Sequence, residues 1–245
     1  MALSTDKILL STVEMVGKLN CTFPLVHLDV GSGHGDLIKL LRERHELTSF
    51  ACDYTDELIT LSDVPVQVAD LNVDKLPFTD ASFDLVTCTE VIEHLEHYRE
   101  TIREMHRVLK PGGVLVVTTP NILNLKSRIR FLFFGFYNLF GPLHFKESAL
   151  HSAGGHINPV SLFYLIHSLI DAGFSDIKVS IDKRQTSSLV WLLLLYIPIK
   201  MLSFFIKRKE ILKYKTIDSH NEGYVTMLNA IDILLGRTIV VGCNK

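Results

Sequence analysis

The chain is short of cysteine, tryptophan and long charged runs. Its four cysteines, Cys21, Cys52, Cys88 and Cys243, stand far apart without a Cys-x-x-Cys pair. That spacing offers neither a zinc site nor a disulfide framework, and a reduced cytoplasmic setting is the expectation. The first ten residues lack a basic leader followed by a long apolar run, so no secretory signal is expected. No internal repeat or low-complexity linker is visible along the 245 residues. With 47% hydrophobic and 21% charged residues, disordered and fibrous architectures are excluded, and a chain of this length can bury a substantial core.

Mean hydropathy is nevertheless positive, at +0.26, and the surplus is concentrated. One apolar run spans 187–199 and continues past Lys200 through Met201–Ile206; a second, aromatic cluster occupies 131–140. Residues 183–215 carry eight lysines or arginines against Glu210 alone, and 122–146 carry four with no acid. These stretches hold a charge of +11, which leaves −13 on the rest of a chain whose total is −2. Two basic, apolar segments therefore sit on an acidic body.

The opening twenty residues, with Ile8, Leu9, Val13, Met15 and Val16, predict an amphipathic helix. Leu25–Val30 reads as a strand that runs into Gly31-Ser-Gly-His-Gly35, and Asp36–His45 follows with apolar residues at helical spacing. Further strands are predicted at Phe50–Asp53, 66–70, Phe83–Cys88, Val114–Thr119, Ser175–Ile181 and Arg237–Gly242. A helix is expected over Tyr98–Leu109, stopped by Lys110-Pro-Gly-Gly113 in a turn. Apolar strands alternating with helices indicate a doubly wound α/β sheet covered on both faces.

Glycine between a parallel strand and its helix lets backbone approach a ligand at the carboxyl edge of the sheet. The pattern here is Asp29-x-Gly31-x-Gly33-x-Gly35. A dinucleotide fingerprint would place its third glycine at position 36, which is aspartate. An acid ahead of the loop disfavours a pyrophosphate and suits a cationic ligand. Asp53, at the end of the second strand, is suited to a vicinal ribose diol, although nicotinamide enzymes use such an acid too.

In this order the residues resemble the class I S-adenosylmethionine-dependent methyltransferases, especially the branch with quinone-biosynthesis and other small-molecule enzymes. The likeness spans about residues 25–182. It implies a seven-stranded, mostly parallel, Rossmann-like sheet, with a substrate cap over 122–155 in a single domain of 1–245. It implies S-adenosylmethionine as cofactor. Asp29, Gly31, Ser32 and Gly33 would hold the methionine part, Asp53 the ribose hydroxyls with Tyr54 beside the adenine, and Asp70 and Leu71 the adenine edge. Thr89 and Glu90 match the segment after strand four beside the methyl donor, and 155–174 matches the late helix leading into strand six.

Methyl transfer from a sulfonium needs alignment and, for a hydroxyl acceptor, removal of a proton. His94, just past strand four, is the first candidate base and His156 the second. Glu93 reads as an ordinary first-turn acid. His97, His106, His144 and His151 show no ligand spacing, so no metal is expected. O-methylation of a small acceptor is the leading expectation. An inactive binding module and a nicotinamide oxidoreductase are the competing readings.

The family joins strands six and seven by a short hairpin, whereas about 55 residues separate Ile181 from Arg237 here. This 183–236 insertion is the chain's main departure. Residues 185–206 are long enough to span a bilayer, but strand seven must return to the same sheet, which argues against a single crossing. One expectation is contact of 187–209 with a membrane face or a lipid-linked acceptor, with the basic residues on anionic headgroups. The alternative is a buried cap helix or a homodimer contact for 187–206. Nucleic acid is not expected, because the body is acidic.

Overall fold

The computed structural model describes residues 5–19, 21–22, 24–143 and 155–245. His144 and His151, and the stretch 144–154 of the expected cap, lie outside them.

Seven strands form one sheet in the order β3-β2-β1-β4-β5-β7-β6. They are β1 (Leu25–Val30), β2 (Leu47–Asp53), β3 (Val66–Val68), β4 (Phe83–Thr89), β5 (Leu109–Pro120), β6 (Ser175–Ile181) and β7 (Thr238–Asn244). Strands β1 to β5 pair in parallel, and β7 runs antiparallel between β5 and β6. The doubly wound α/β expectation holds. Strand β6 is consequently parallel to β5, so the chain leaves β1, β4, β5 and β6 at the same edge of the sheet.

Alternation along the central strands feeds two cores. Leu115 and Val117 of β5 face a cluster with Ile102 and Met105 of α3 (Tyr98–Val108) and Leu165 and Leu169 of α5 (Leu162–Asp171). Val114 and Val116 face the other way, onto Val13 and Val16 of α1 (Asp6–Lys18) and Leu37 and Leu41 of α2 (Asp36–Arg42). The apolar positions of α1 and α2 fall at helical spacing and are the ones that become buried.

Two boundaries differ from expectation. Strand β2 starts at Leu47 rather than Phe50, because Leu25 and Leu47 are already in register. Residues 110–113 do not form a separate turn after the helix. They are a bulge inside β5, where the register against β4 slips between Phe83 and Leu85. Gly112 takes φ +79 there, and a Cβ on Gly113 would stand 2.9 Å from the Lys110 carbonyl, so the bulge depends on the glycine pair.

The insertion is helical. α6 (Leu189–Lys209) runs through Pro198 and buries no residue, and Glu210–Tyr214 extends it by a π turn. It packs against α4 (Leu125–Phe134), and α7 (Glu222–Met227) and α8 (Ile231–Leu235) bring the chain back to β7. The buried-cap alternative for 187–206 is overturned. Leu193 is 83% exposed and, on α4, Phe133 is 81% exposed.

Candidate active site

The loop after β1 has a shape only glycine permits at two points. Gly31 sits at φ +76, where a Cβ would collide with Val91, and Gly35 at φ +80, where a Cβ would lie 2.9 Å from Leu61. Gly35 is also the residue that admits the chain into α2. Between them, the Gly33 amide donates to Asp53 Oδ2 at 2.8 Å, which joins the ends of β1 and β2 through one carboxylate.

Asp29, only 2% exposed, lies one residue before the end of β1. It ends a buried polar row that crosses three strands. The Thr87 hydroxyl lies 2.7 Å from Asp29 Oδ1, His27 Nε2 is 2.8 Å from Thr87 Oγ1, and His27 Nδ1 is 3.2 Å from Ser49 Oγ. A carboxylate can only accept, so Thr87 donates to Asp29, His27 donates from Nε2, and Ser49 donates to Nδ1. Every dipole in the row points toward Asp29. Burial pushes the Asp29 carboxyl up to about 7, against the Thr87 hydrogen bond and with help from the Asp53 charge. Burial also holds His27 neutral, lowered to about 3.

Asp53 is oriented twice over, since its Oδ1 accepts from the Tyr54 amide at 2.8 Å while Oδ2 takes Gly33. Burial raises its pKa, and the amides of Gly33, Tyr54 and Thr55 oppose the rise. The Tyr54 side chain is exposed beside it. Asp70 follows β3 and closes a turn, with the Asn72 amide donating to its Oδ1 at 3.0 Å. Leu71 packs against the main core.

After β4 the chain bends sharply. Glu90 takes φ +56, a left-handed conformation that costs a residue with a side chain of order 1 kcal/mol. Its amide donates to the Thr118 carbonyl and hydroxyl, and the Thr118 hydroxyl donates to Glu90 Oε1 at 3.2 Å. A short 3-10 turn, Ile92–His94, follows. Glu93 is not the first-turn acid the sequence suggested: it is fully buried, with Oε2 accepting from Thr119 at 3.0 Å. Burial and the neighbouring Glu90 charge push its carboxyl well above the usual range, and burial raises Glu90 as well.

His94 Nδ1 donates to the Gly155 carbonyl at 3.0 Å. The 155–158 segment is locked on by the amides of Ile157 and Asn158, which both donate to the Glu93 carbonyl, and by the Asn158 side chain on the Leu95 carbonyl. This lock sets the His156 ring edge-on to His94 at 4.7 Å between centroids, with Phe140 of the cap 5.2 Å away. Burial lowers both imidazoles, His156 to about 4. His97 is an exposed residue ahead of α3, and His106 packs on Phe174.

The structure thus brings Asp29, Gly31, Ser32, Gly33, Asp53, Thr89, Glu90, His94 and His156 to one edge of the sheet, with Asp70 and Leu71 farther along it after β3. A nucleoside sulfonium fits this edge, where Ser32 Oγ and Thr89 Oγ1 are buried without partners beside the Asp29 and Asp53 carboxyls. Sequence reasoning missed Thr87, Thr118, Thr119 and Glu93. The Val-Thr-Cys-Thr and Val-Thr-Thr ends of β4 and β5 were the available signal, because threonine ending a buried strand aims a hydroxyl at the edge.

A methyltransferase-domain family profile matches residues 28–117. The ubiquinone/menaquinone biosynthesis C-methyltransferase UbiE of Laribacter hongkongensis is 35% identical over 101 residues, which cover 37% of this chain and 41% of that protein. A probable S-adenosylmethionine-dependent methyltransferase of Mycobacterium tuberculosis is 33% identical over 156 residues, 61% of this chain and 48% of the relative. The chain therefore spans less than half the length of these two curated relatives. A methyltransferase structure from Archaeoglobus fulgidus superposes with a TM-score of 0.58 at 18% identity, covering 97% of this chain and 94% of that one, a likeness of fold. Sheet order, the Asp29–Gly35 loop and the matched profile agree: residues 28–117 are a methyltransferase domain, and the chain is similar there to S-adenosylmethionine-dependent methyltransferases.

Proposed function

We propose that the protein methylates a hydroxyl oxygen on a hydrophobic or lipid-linked acceptor at the cytoplasmic face of a membrane. Asp29 with the Gly31–Gly33 loop would hold the cofactor's charged end, Asp53 and Tyr54 its ribose and adenine, and Asp70 and Leu71 the adenine edge. Thr89 and Glu90 would line the donor. Bound there, S-adenosylmethionine supplies a methyl carbon whose C–S bond breaks, the electron pair staying on sulfur, as the new C–O bond forms. His94 and His156 meet the acceptor with neutral rings, and the hydroxyl proton is lost at that side.

The observation that carries the acceptor reading is where the apolar pieces leave the sheet. α4 follows β5 and α6 follows β6, both from the edge that bears the site, and Phe140 reaches back to the His156 ring. A helix apolar all round belongs in a core or in lipid, and 186–214 is long and apolar enough to cross a membrane with none of its apolar window buried.

Its neighbours favour lying in the interface over crossing. Lys207 bonds Thr226 at 2.8 Å and pairs with Glu222 at 2.9 Å, and Asn229 donates to Ser203 at 2.8 Å. Those contacts keep the polar return segment beside α6, where a bilayer core would strand its charges. Lys200, Arg208, Lys209, Lys213 and Lys215 suit anionic headgroups.

The test is incubation with trideuteromethyl-labelled cofactor and a fractionated cell extract, followed by mass spectrometry. Label in the organic phase as a methyl ether is the expected result. Label on carbon would overturn the oxygen assignment, and label confined to water-soluble products would overturn the acceptor class.

A further inference from the structure

Glu93, His94 and His156 meet at the acceptor end of the site. Glu93 uses Oε2 for Thr119, and its Oε1 is buried without a partner. His94 donates from Nδ1 to Gly155, which leaves the lone pair on Nε2. His156 packs edge-on against His94, and its Nδ1 is buried without a partner. One ligand-capable atom of each residue, an imidazole nitrogen or a carboxylate oxygen, lies within 4.8 Å of the other two.

Once ionised, Glu93 offers acceptors alone, and so does the nitrogen that His94 leaves free after its Nδ1 donates to Gly155, so in that state these groups cannot satisfy one another. A buried acceptor left with no donor is destabilising. A shared electrophile would satisfy all three, and the Gly155 carbonyl that orients His94 is the kind of outer partner that metal-bound histidines use.

We propose that Glu93, His94 and His156 bind one divalent cation of the zinc type, with a further coordination position open to the acceptor's oxygen. Two nitrogens and one carboxylate form a three-ligand set used by catalytic zinc sites, and magnesium and calcium prefer all-oxygen surroundings. Both imidazoles are only partly buried, which leaves an entry path and room for the acceptor. This refines the acceptor reading above and rests on it. A hydroxyl held on the cation loses its proton to water near neutral pH, and His94 and His156 act through the ion. It also revises the sequence expectation that no metal takes part.

The experiment is titration of the chelator-stripped full chain with Co2+, followed by visible absorption and repeated with S-adenosylmethionine. One Co2+ per chain, displaced by Zn2+, is expected. Glu93→Gln and His156→Ala should each weaken the ion at least tenfold and leave cofactor affinity within twofold, which reports that the variants are folded. Absence of stoichiometric binding by the native chain overturns the site, whatever the variants do, and would identify a proton on Glu93 as the occupant instead. Binding that folded variants keep at native strength also overturns it. Failure of the cofactor to bind would sink the methyltransferase reading, while the metal titration would still be readable.

Discussion

The edge formed by β1, β2 and β4 and the surface formed by α4 and α6 obey opposite rules. On the first, polar groups are buried and mostly paired: Asp29 ends a directed row of hydroxyls and an imidazole, and Asp53 is held by two amides. On the second, large apolar groups are exposed among lysines and arginines with no protein over them. The first surface is satisfied mostly within the fold, and the second is left open among the described residues. Cofactor binding should therefore be indifferent to the apolar helices, and attachment to lipid indifferent to the site.

The sharpest break would come from Asp53→Ala. Loss of the carboxylate that joins β1 to β2 should weaken S-adenosylmethionine by at least a hundredfold, about 3 kcal/mol, by calorimetry. Co-sedimentation with phosphatidylglycerol vesicles should not change. Next comes the reverse experiment, Leu193→Glu with Ile197→Glu on α6. Vesicle binding should fall at least tenfold and cofactor affinity should stay within twofold; unchanged sedimentation would remove lipid as the cover for this helix. Native binding should also weaken as salt screens the basic residues.

The smallest effect concerns pH. The Asp29 carboxyl, raised to about 7 in the free chain, is protonated below that value, and a cationic ligand favours the ionised form. Affinity should therefore drop by up to tenfold per pH unit below 7 and level off above it, and Asp29→Asn should abolish the slope. Stability runs the other way. A carboxyl whose folded pKa lies above its unfolded value favours the fold at low pH and loses that contribution as pH rises through 7. Urea unfolding at pH 8 should then show Asp29→Asn more stable than native by about 1–3 kcal/mol.

The frame of this molecule was legible wherever one segment carries its own signal. The run Leu25–Val30 with the glycines after it, and the period of α1, needed no partner to be read. Ser49 did: its place in β2 becomes evident only when His27 faces it across the sheet. Glu93 was misread for the same reason, since what encloses it arrives with residues 155–158, more than sixty positions later. In the insertion, hydropathy disclosed an apolar helix and charge its basic flank, but exposure is a property of the assembled chain, and the buried-cap alternative fell only with it.

Arg184 and Gly236 form a single antiparallel bridge at the mouth of the insertion. The excursion between them thus begins and ends at one strand spacing, beside β6 and β7, whose own pairing does not involve it. Closing such a loop costs little more as it lengthens, and the return helix α8 buries Ile233 in the main core, so the part free to vary is α6 and its π turn. One exposed helix, hung between a single bridge and a buried return helix, can change in length or composition without moving the strands that carry the site.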